Sequence, residues 1–495
     1  MSTEIPFWQQ PFPRLMERVS FYGLILFALA IPHSIAVAQI GFSISALCWL
    51  LSALAEKRVP VIRTPLTAPI MGFSLLTILS AVFSIEPQIS LPKLRSLTLF
   101  LLVYLIADCL SKQQAWMLLL LVMISGLTGV VFSFGEKIIG RGVILTSVAP
   151  QSPLAASGLQ AGDVIWMVER TRVSSIAEVH DNIRSRPPGE KIGIEALHDG
   201  DPIPVELTMT EEIKQHPELL NITGERRTRR FRVSGFTRHF LTYAEQMQLF
   251  ALLLLGCAMT SLRRQAIQWK PTAICFTGFI LFSLALLLTA TRGVMASFIV
   301  ALVVVAVVAG SRRVAWVVLP LALLMVVLSV WFLVSIRTRN AAQMEDDSTQ
   351  RRIGYMKAGL RAVPRYPILG TGVDSLKLHW HEWGFPGDYI THTHSTPIQI
   401  ALDRGLPALG CYLWLIASMG MMLWRQYREA AVTDDLLTAA LPLGSLGGVI
   451  GFFLSSLTNY NFGDSETLML LLLFVALSMV TGRENRTPAD QDSHT

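Results

Sequence analysis

The chain has 495 residues, 52% of them hydrophobic and 15% charged, with a mean hydropathy of +0.50. That balance excludes an ordinary soluble globular protein, where about a quarter of residues are charged, and points to a membrane protein. The net charge of +6 fits basic loops beside a membrane and not nucleic-acid binding. The cysteines Cys48, Cys109, Cys257, Cys275 and Cys411 lie in or beside apolar runs with no CxxC spacing, which indicates neither a disulfide framework nor a zinc site. The N-terminus opens on polar, Pro-rich sequence with no small-residue cleavage site after the first apolar run, so no cleavable signal peptide is expected.

A helix needs about 20 apolar residues to cross the hydrocarbon core, and on that measure the chain holds about twelve spans. The run 21–55 is too long for one helix and reads as two, broken near Pro32-His33. Spans follow at 66–84, 94–110 and 114–132. A soluble-looking insert comes next, then spans at 244–262, 272–290, 295–310 and 314–336. A second polar segment, 337–395, precedes the last three, at 406–424, 436–457 and 467–480. The chain thus divides into N-terminal helices (1–133), the insert (134–212), a basic linker (213–239), a C-terminal helical region (240–482) and a tail (483–495). The fold class expected is a mainly α polytopic bundle with a small α/β insert.

Lys and Arg in short loops set orientation. One set of ends carries Arg14, Arg18, Lys57, Arg58, Lys112, Arg263, Arg312, Arg425 and Arg483 among others; the opposite short loops carry little beyond Lys93 and Arg95. The basic set is read as cytoplasmic. Both termini are then inside, and both long polar segments face outward, into the periplasm if the cell is a diderm bacterium with this chain in its inner membrane.

In the insert, Gly142-Val-Ile-Leu-Thr-Ser-Val148 alternates like a strand. Ser152-Pro-Leu-Ala-Ala-Ser-Gly158-Leu159-Gln-Ala-Gly162-Asp163-Val164-Ile165 follows, then an amphipathic helix over 176–185 and strands at 191–197 and 203–209. Over 138–209 this order resembles a PDZ domain of the bacterial protease type, with Glu169-Arg170 in place of the usual Asn-Gly turn. Such domains add a peptide strand to a sheet edge beside a helix and hold a terminal carboxylate in a backbone nest. The resemblance implies a peptide groove at Gly142, Val143, Ile144 and Leu145, flanked by Val179 and Ile183 of the helix. The alternative is a spacer that binds no peptide. A zinc metalloprotease needs H-E-x-x-H on a helix; His381-Glu382-Trp-Gly-Phe385 lacks the second histidine and carries a glycine, so that reading is rejected.

Three polar groups remain. The exit from the insert, Arg226-Arg-Thr-Arg229-Arg230-Phe-Arg232-Val-Ser-Gly235, is rich in guanidinium forks that match phosphate oxygens. Thr289-Ala-Thr291-Arg292-Gly293 places an arginine between two apolar runs, which marks it as functional by default. The segment 337–395 holds Arg352, the turn Pro367-Ile-Leu-Gly370-Thr-Gly372, and His379, His381, His392 and His394. With no cysteine and only scattered carboxylates beside them, one of these histidines reads as a general base and not as part of a metal site.

Together with Leu402-Asp403-Arg404-Gly405-Leu406 after His394-Ser395, these pieces resemble the O-antigen ligase and polymerase superfamily of membrane glycosyltransferases, most specifically over 232–424. Ser395 stands where asparagine is more usual, and the PDZ-like insert is not part of the core family. The resemblance implies a polyprenyl-diphosphate-linked glycan donor, a lipid or saccharide acceptor, contact with membrane lipids, and no cofactor. It implies Arg232 and Arg292 on the diphosphate, His394 as base, and Arg352, His392, Arg230, Gly370 and Gly372 in substrate binding. A polymerase of repeat units and a non-catalytic PDZ scaffold are the competing readings.

Overall fold

The computed structural model describes residues 11–58, 63–169, 171–198, 201–229, 231–237, 239–263, 268–310, 313, 316, 320–328, 339–387, 392–432 and 436–482. Arg230, most of the expected span 314–336 and the tail 483–495 lie outside them.

The first apolar run folds as a helical hairpin, α1 (Phe12–Ala30) and α2 (Ile35–Ala55). Pro32 sits in the turn, and the Ser34 hydroxyl caps α2 by accepting from the Val37 amide. The two helices touch backbone to backbone. A Cβ on Gly23 would lie 2.9 Å from the Gly41 carbonyl oxygen. The Ser20 and Ser45 hydroxyls each donate to the other's carbonyl, at 3.0 and 2.7 Å. Small residues and cross-helix hydroxyls hold helices together where no hydrophobic effect is available.

There follow α3 (Thr67–Val82), α4 (Pro87–Cys109) and α5 (Lys112–Ile139). Beyond the sheet domain, whose helix α6 spans Ile176–Arg184, come α7 (Phe240–Arg263), α8 (Trp269–Leu288), α9 (Arg292–Ala309), α10 (Arg339–Ala362), α11 (Thr396–Val432), α12 (Leu436–Ser456) and α13 (Ser465–Gly482). Among the described residues 9 helices are long and apolar enough to cross a membrane. The charge-bearing α1, the shorter α3 and the stretch 314–336 are the other expected spans. Helices α7, α12 and α13 are buried on nearly all sides, and the other spans leave apolar faces open as lipid-facing helices do. The last spans differ in one respect from expectation. Helix α11 begins at Thr396, and its helical path is broken at Gly405 (φ 84, ψ 170). Asp403 and Arg404 therefore lie on a helix end within the bundle.

The insert is a sheet of strands β1 (Arg141–Val148), β2 (Val164–Val168), β3 (Thr171–Arg172), β4 (Lys191–His198), β5 (Asp201–Thr208) and β6 (Ile222–Thr228). Their order is β5-β4-β2-β1-β6, with β3 beside β2. Val143, Leu145, Ile165, Ile194 and the α6 residues Val179 and Ile183 form its core. Glu169 takes the left-handed turn position (φ 55), and its carboxylate accepts the Gly193 amide at 2.6 Å.

This topology corrects the expected groove. Strand β1 carries Gly142, Val143, Ile144 and Leu145, and it is paired on one side with β2 and on the other with β6. No edge of β1 is open to a peptide, and Val179 and Ile183 are fully buried. The domain also runs past residue 212, because β6 comes from the stretch read as a basic linker. The charges of Glu225, Arg226 and Arg227 hide a strand that Ile222, Thr223 and Thr228 favour. Gly224 allows the close approach: a Cβ there would meet the Ile144 carbonyl oxygen at 2.6 Å and the Ile176 Cδ1 at 3.3 Å. Gly224→Val is expected to cost about 1–3 kcal/mol through this overlap. Hydrogen exchange on the full chain should then show faster exchange at the β1 amides, with the helical bundle unaffected.

Candidate functional site

The elements that end beside the sheet domain bring the polar groups together. Strand β6 runs on into Arg229 and Phe231, and Phe231 is fully buried. Lys137 and Arg141 each sit 4.5 Å from its ring centroid, and Lys137 Nζ donates to the Arg229 carbonyl at 3.1 Å. Thus anchored, the chain presents Arg232 to the end of α8. Its Nε donates to the Thr289 carbonyl at 2.9 Å and its Nη2 to the Ala290 carbonyl at 2.8 Å, and its guanidinium lies 3.9 Å from the centroid of the Phe240 ring. A cation on the last carbonyls of a helix is favourable. Here it also holds a strained turn, with Ala290 at φ 52, from which α9 starts at Arg292. Arg232 therefore fixes the place of Arg292.

Gly293 packs against the loop after α12: a Cβ on it would meet the Thr458 Oγ1 at 2.8 Å. The same loop receives the start of α11. Thr396 donates through its amide and its hydroxyl to the Asn459 carbonyl, at 3.1 and 3.0 Å. The start of α9 at Gly293 and the start of α11 at Thr396 thus meet one short stretch, Thr458–Asn459, with Arg292 and His394 in the adjoining backbone.

His394 lies in the left-handed region (φ 53), a strain that marks a site where the surrounding structure dictates the backbone. Its ring stacks on Tyr355 at 5.6 Å and lies 4.2 Å from that of His392, whose Nδ1 accepts the His394 amide at 3.1 Å. His394 Nδ1 is buried without a hydrogen-bond partner among the described residues. Burial, then His392, Arg352 and His239, lower the His394 pKa to about 3. Burial, then Arg352, lowers that of His392 to about 4. His239, which sequence reasoning passed over, is lowered by the protein around it and by Arg232 and Arg352. Arg232, Arg352, His239, His392 and His394 therefore share one electrostatic neighbourhood. The other two histidines do not join it. His379 bridges Glu382 (2.6 Å) and Glu86 (3.3 Å) and is raised by those carboxylates, while His381 is exposed.

The turn bearing Gly370 and Gly372 is packed onto the break in α11. The Gly370 amide donates to the Tyr366 carbonyl at 3.0 Å and the Gly372 amide to the Asp403 carbonyl at 2.9 Å. A Cβ on Gly370 would lie 2.4 Å from the Arg404 nitrogen, and one on Gly372 would lie 2.4 Å from the Ser84 Cβ. These glycines allow close packing against the break in α11, and both amides are bonded within the protein. A cavity of about 720 Å³ opens beside the break, lined by Lys93, Arg95, Lys377, His392, Asp403 and Arg404 among others. Its size suits a ligand site. Lys93 and Arg95 went unassigned in the sequence because two charges in a short loop carry no signal beyond orientation.

Residues 277–413 match the family model described as O-antigen ligase, and residues 119–209 match that of the PDZ domain. Arg292, Arg352, His392, His394 and Arg404 lie inside the first match; Arg232 lies before it. The chain is 35% identical over 69 residues to the periplasmic pH-dependent serine endoprotease DegQ of Escherichia coli K12, covering 14% of this chain and 15% of that protein. It is 34% identical over 71 residues to the periplasmic serine endoprotease DegP of Salmonella typhimurium, again 14% of this chain and 15% of that protein. The chain spans a small part of the length of both relatives. A helical bundle with a segment that matches the O-antigen ligase model, preceded by an inserted domain that matches the PDZ model, is what this chain carries.

Proposed function

We propose that this protein is a membrane glycosyltransferase that moves a glycan from a polyprenyl-diphosphate carrier to a hydroxyl of a lipid or saccharide acceptor, on the periplasmic face. The observation that carries the reading is the convergence of Arg232, Arg352 and three imidazoles at one end of the bundle, beside the turn that starts α9 at Arg292. The match to the O-antigen ligase model supports it. In this scheme the acceptor oxygen attacks the sugar carbon, the bond from that carbon to the diphosphate oxygen breaks, and the carrier diphosphate leaves with the electron pair. Arg292 and Arg352 stabilise the leaving charge, which fixed cations do best where water is excluded. Arg232 acts chiefly by holding the turn beneath Arg292.

His394 takes the acceptor proton. With its pKa lowered to about 3, the imidazole is neutral at pH 7 and free to accept it. A bound diphosphate offsets the neighbouring positive charges and raises the proton affinity of the ring when the donor is in place. The outer edge of β6, beside α6, is the position left for a peptide strand at the PDZ domain.

Alanine at His394 or Arg292 should lower transfer by about a hundredfold or more while leaving membrane insertion intact. Purified protein in lipid nanodiscs, a diphosphate-linked donor and candidate acceptors give the measurement. Near-normal rates in both variants would sink the assignment. The pH dependence gives a second test. A base with a lowered pKa keeps kcat/KM level as pH falls from about 8 to about 5, whereas an imidazole at its usual value of about 6.5 would lose activity over that interval. By the same sign, His394 favours the folded state above about pH 6.5 and withdraws that stability as pH falls toward the folded value. His394→Gln should flatten this acid loss in thermal unfolding.

A further inference from the structure

Arg404 is 4% exposed, yet two of its nitrogens, Nε and Nη1, have no hydrogen-bond partner among the described residues. An arginine kept only for structure is expected to be satisfied, as Arg232 is by two backbone carbonyls. The nearest carboxylate does not satisfy Arg404. Asp403 Oδ2 stands 3.6 Å from Nη1, outside hydrogen-bond range, and Asp403 Oδ1 is taken by the Gln399 amide at 2.9 Å. The Phe73 ring centroid lies 5.6 Å from the guanidinium, too weak a contact to replace hydration. A buried cation with open donors is costly unless something anionic completes it.

Arg404 lines the 720 Å³ cavity, and the other charges there have the matching sign. Lys93, Arg95, Lys377 and Arg404 face Asp374 and Asp403, four positive charges against two negative ones. Asp374 is shared by Lys93 at 2.6 Å and Lys377 at 3.0 Å. The socket is rigid. The backbone of Asp403 and Arg404 is clamped by Gly370 and Gly372, and the Ser80 hydroxyl donates to the Asp403 carbonyl at 2.7 Å. His392 joins the cavity to the site described above, while neither Arg232 nor Arg292 lines it.

We infer that Arg404, with Arg95 of the same cavity lining, forms an anion subsite that holds a phosphomonoester or carboxylate carried by the acceptor saccharide. The inference rests on the transfer reading for the word acceptor; the anion subsite itself rests on the geometry of Arg404. Charge on the acceptor would then orient its hydroxyl from one side of His392, with the donor diphosphate on the other.

The test uses the full chain in nanodiscs. Binding of glucose 6-phosphate, glucuronate and glucose is measured by calorimetry for the wild type, Arg404→Gln, Arg404→Lys, Arg95→Gln and His394→Ala. Wild type and His394→Ala should bind glucose 6-phosphate or glucuronate, whichever chemistry the socket takes, and not glucose. Arg404→Gln and Arg95→Gln should weaken that binding about tenfold or more, with Arg404→Lys in between. Arg95 is exposed, so its variant decides the matter if Arg404→Gln fails to fold. Equal binding of all three sugars by the wild type, or unchanged binding in Arg95→Gln and in a folded Arg404→Gln, overturns the subsite. Charge-selective binding that depends on Arg404, together with no transfer from any donor, would leave the subsite standing and remove the transferase reading. Transfer by the wild type with unaltered binding in the arginine variants would do the reverse.

Discussion

One backbone junction governs the rest: the break in α11 at Gly405, onto which the turn at Gly370–Gly372 is packed. The Thr371 amide donates to the Leu402 carbonyl, the Gly372 amide to the Asp403 carbonyl and the Leu406 amide to the Pro367 carbonyl, at 2.9, 2.9 and 2.8 Å. Ser84 extends the junction to α3 and α4 by donating to the Thr371 carbonyl at 3.0 Å and by meeting the Ser90 hydroxyl at 2.8 Å. Helix carbonyls freed by the break thus find donors inside the protein, as they must where lipid offers none. The start of α11, with His394 just before it, is aligned by that junction at one end and by Thr396 on Asn459 at the other.

The sheet domain has a mechanical link to the same place. Its edge strand β6 leads through Phe231, held between Lys137 and Arg141, to Arg232 on the end of α8. The domain is therefore tied to the bundle on both sides, by α5 entering β1 and by β6 leaving for Arg232. The span count and the PDZ pattern alone suggest a separable module; the pairing of β6 with β1 makes the domain part of the scaffold of the site.

Much of this was legible in the residues. Pro32 in an overlong apolar run announced the hairpin, and Arg292 stood out because charge between two spans is costly. The run from Ser152 to Ile165 carried the PDZ pattern. What stayed hidden is long-range. Periodicity cannot report that Ser84 meets Gly372, or that Gly224 lets a charged stretch become the sixth strand. Gly370 and Gly372 stand in the sequence only as part of a short motif, and nothing in it tells that their amides are satisfied by the Tyr366 and Asp403 carbonyls. Arg404 was visible only as part of a short motif. Its burial and its open donors appear once the break in α11 puts it against the cavity.

In the proposed function, fixed positive charge and a neutral imidazole meet at one end of the bundle to hold and activate a diphosphate-linked sugar. A structure of the full chain in a lipid bilayer with a non-hydrolysable polyprenyl-diphosphate sugar bound tests it most directly. In the proposed mechanism the diphosphate contacts Arg292 and Arg352, with the sugar carbon facing His394. A diphosphate seated elsewhere, with His394 turned away from the sugar, would contradict it.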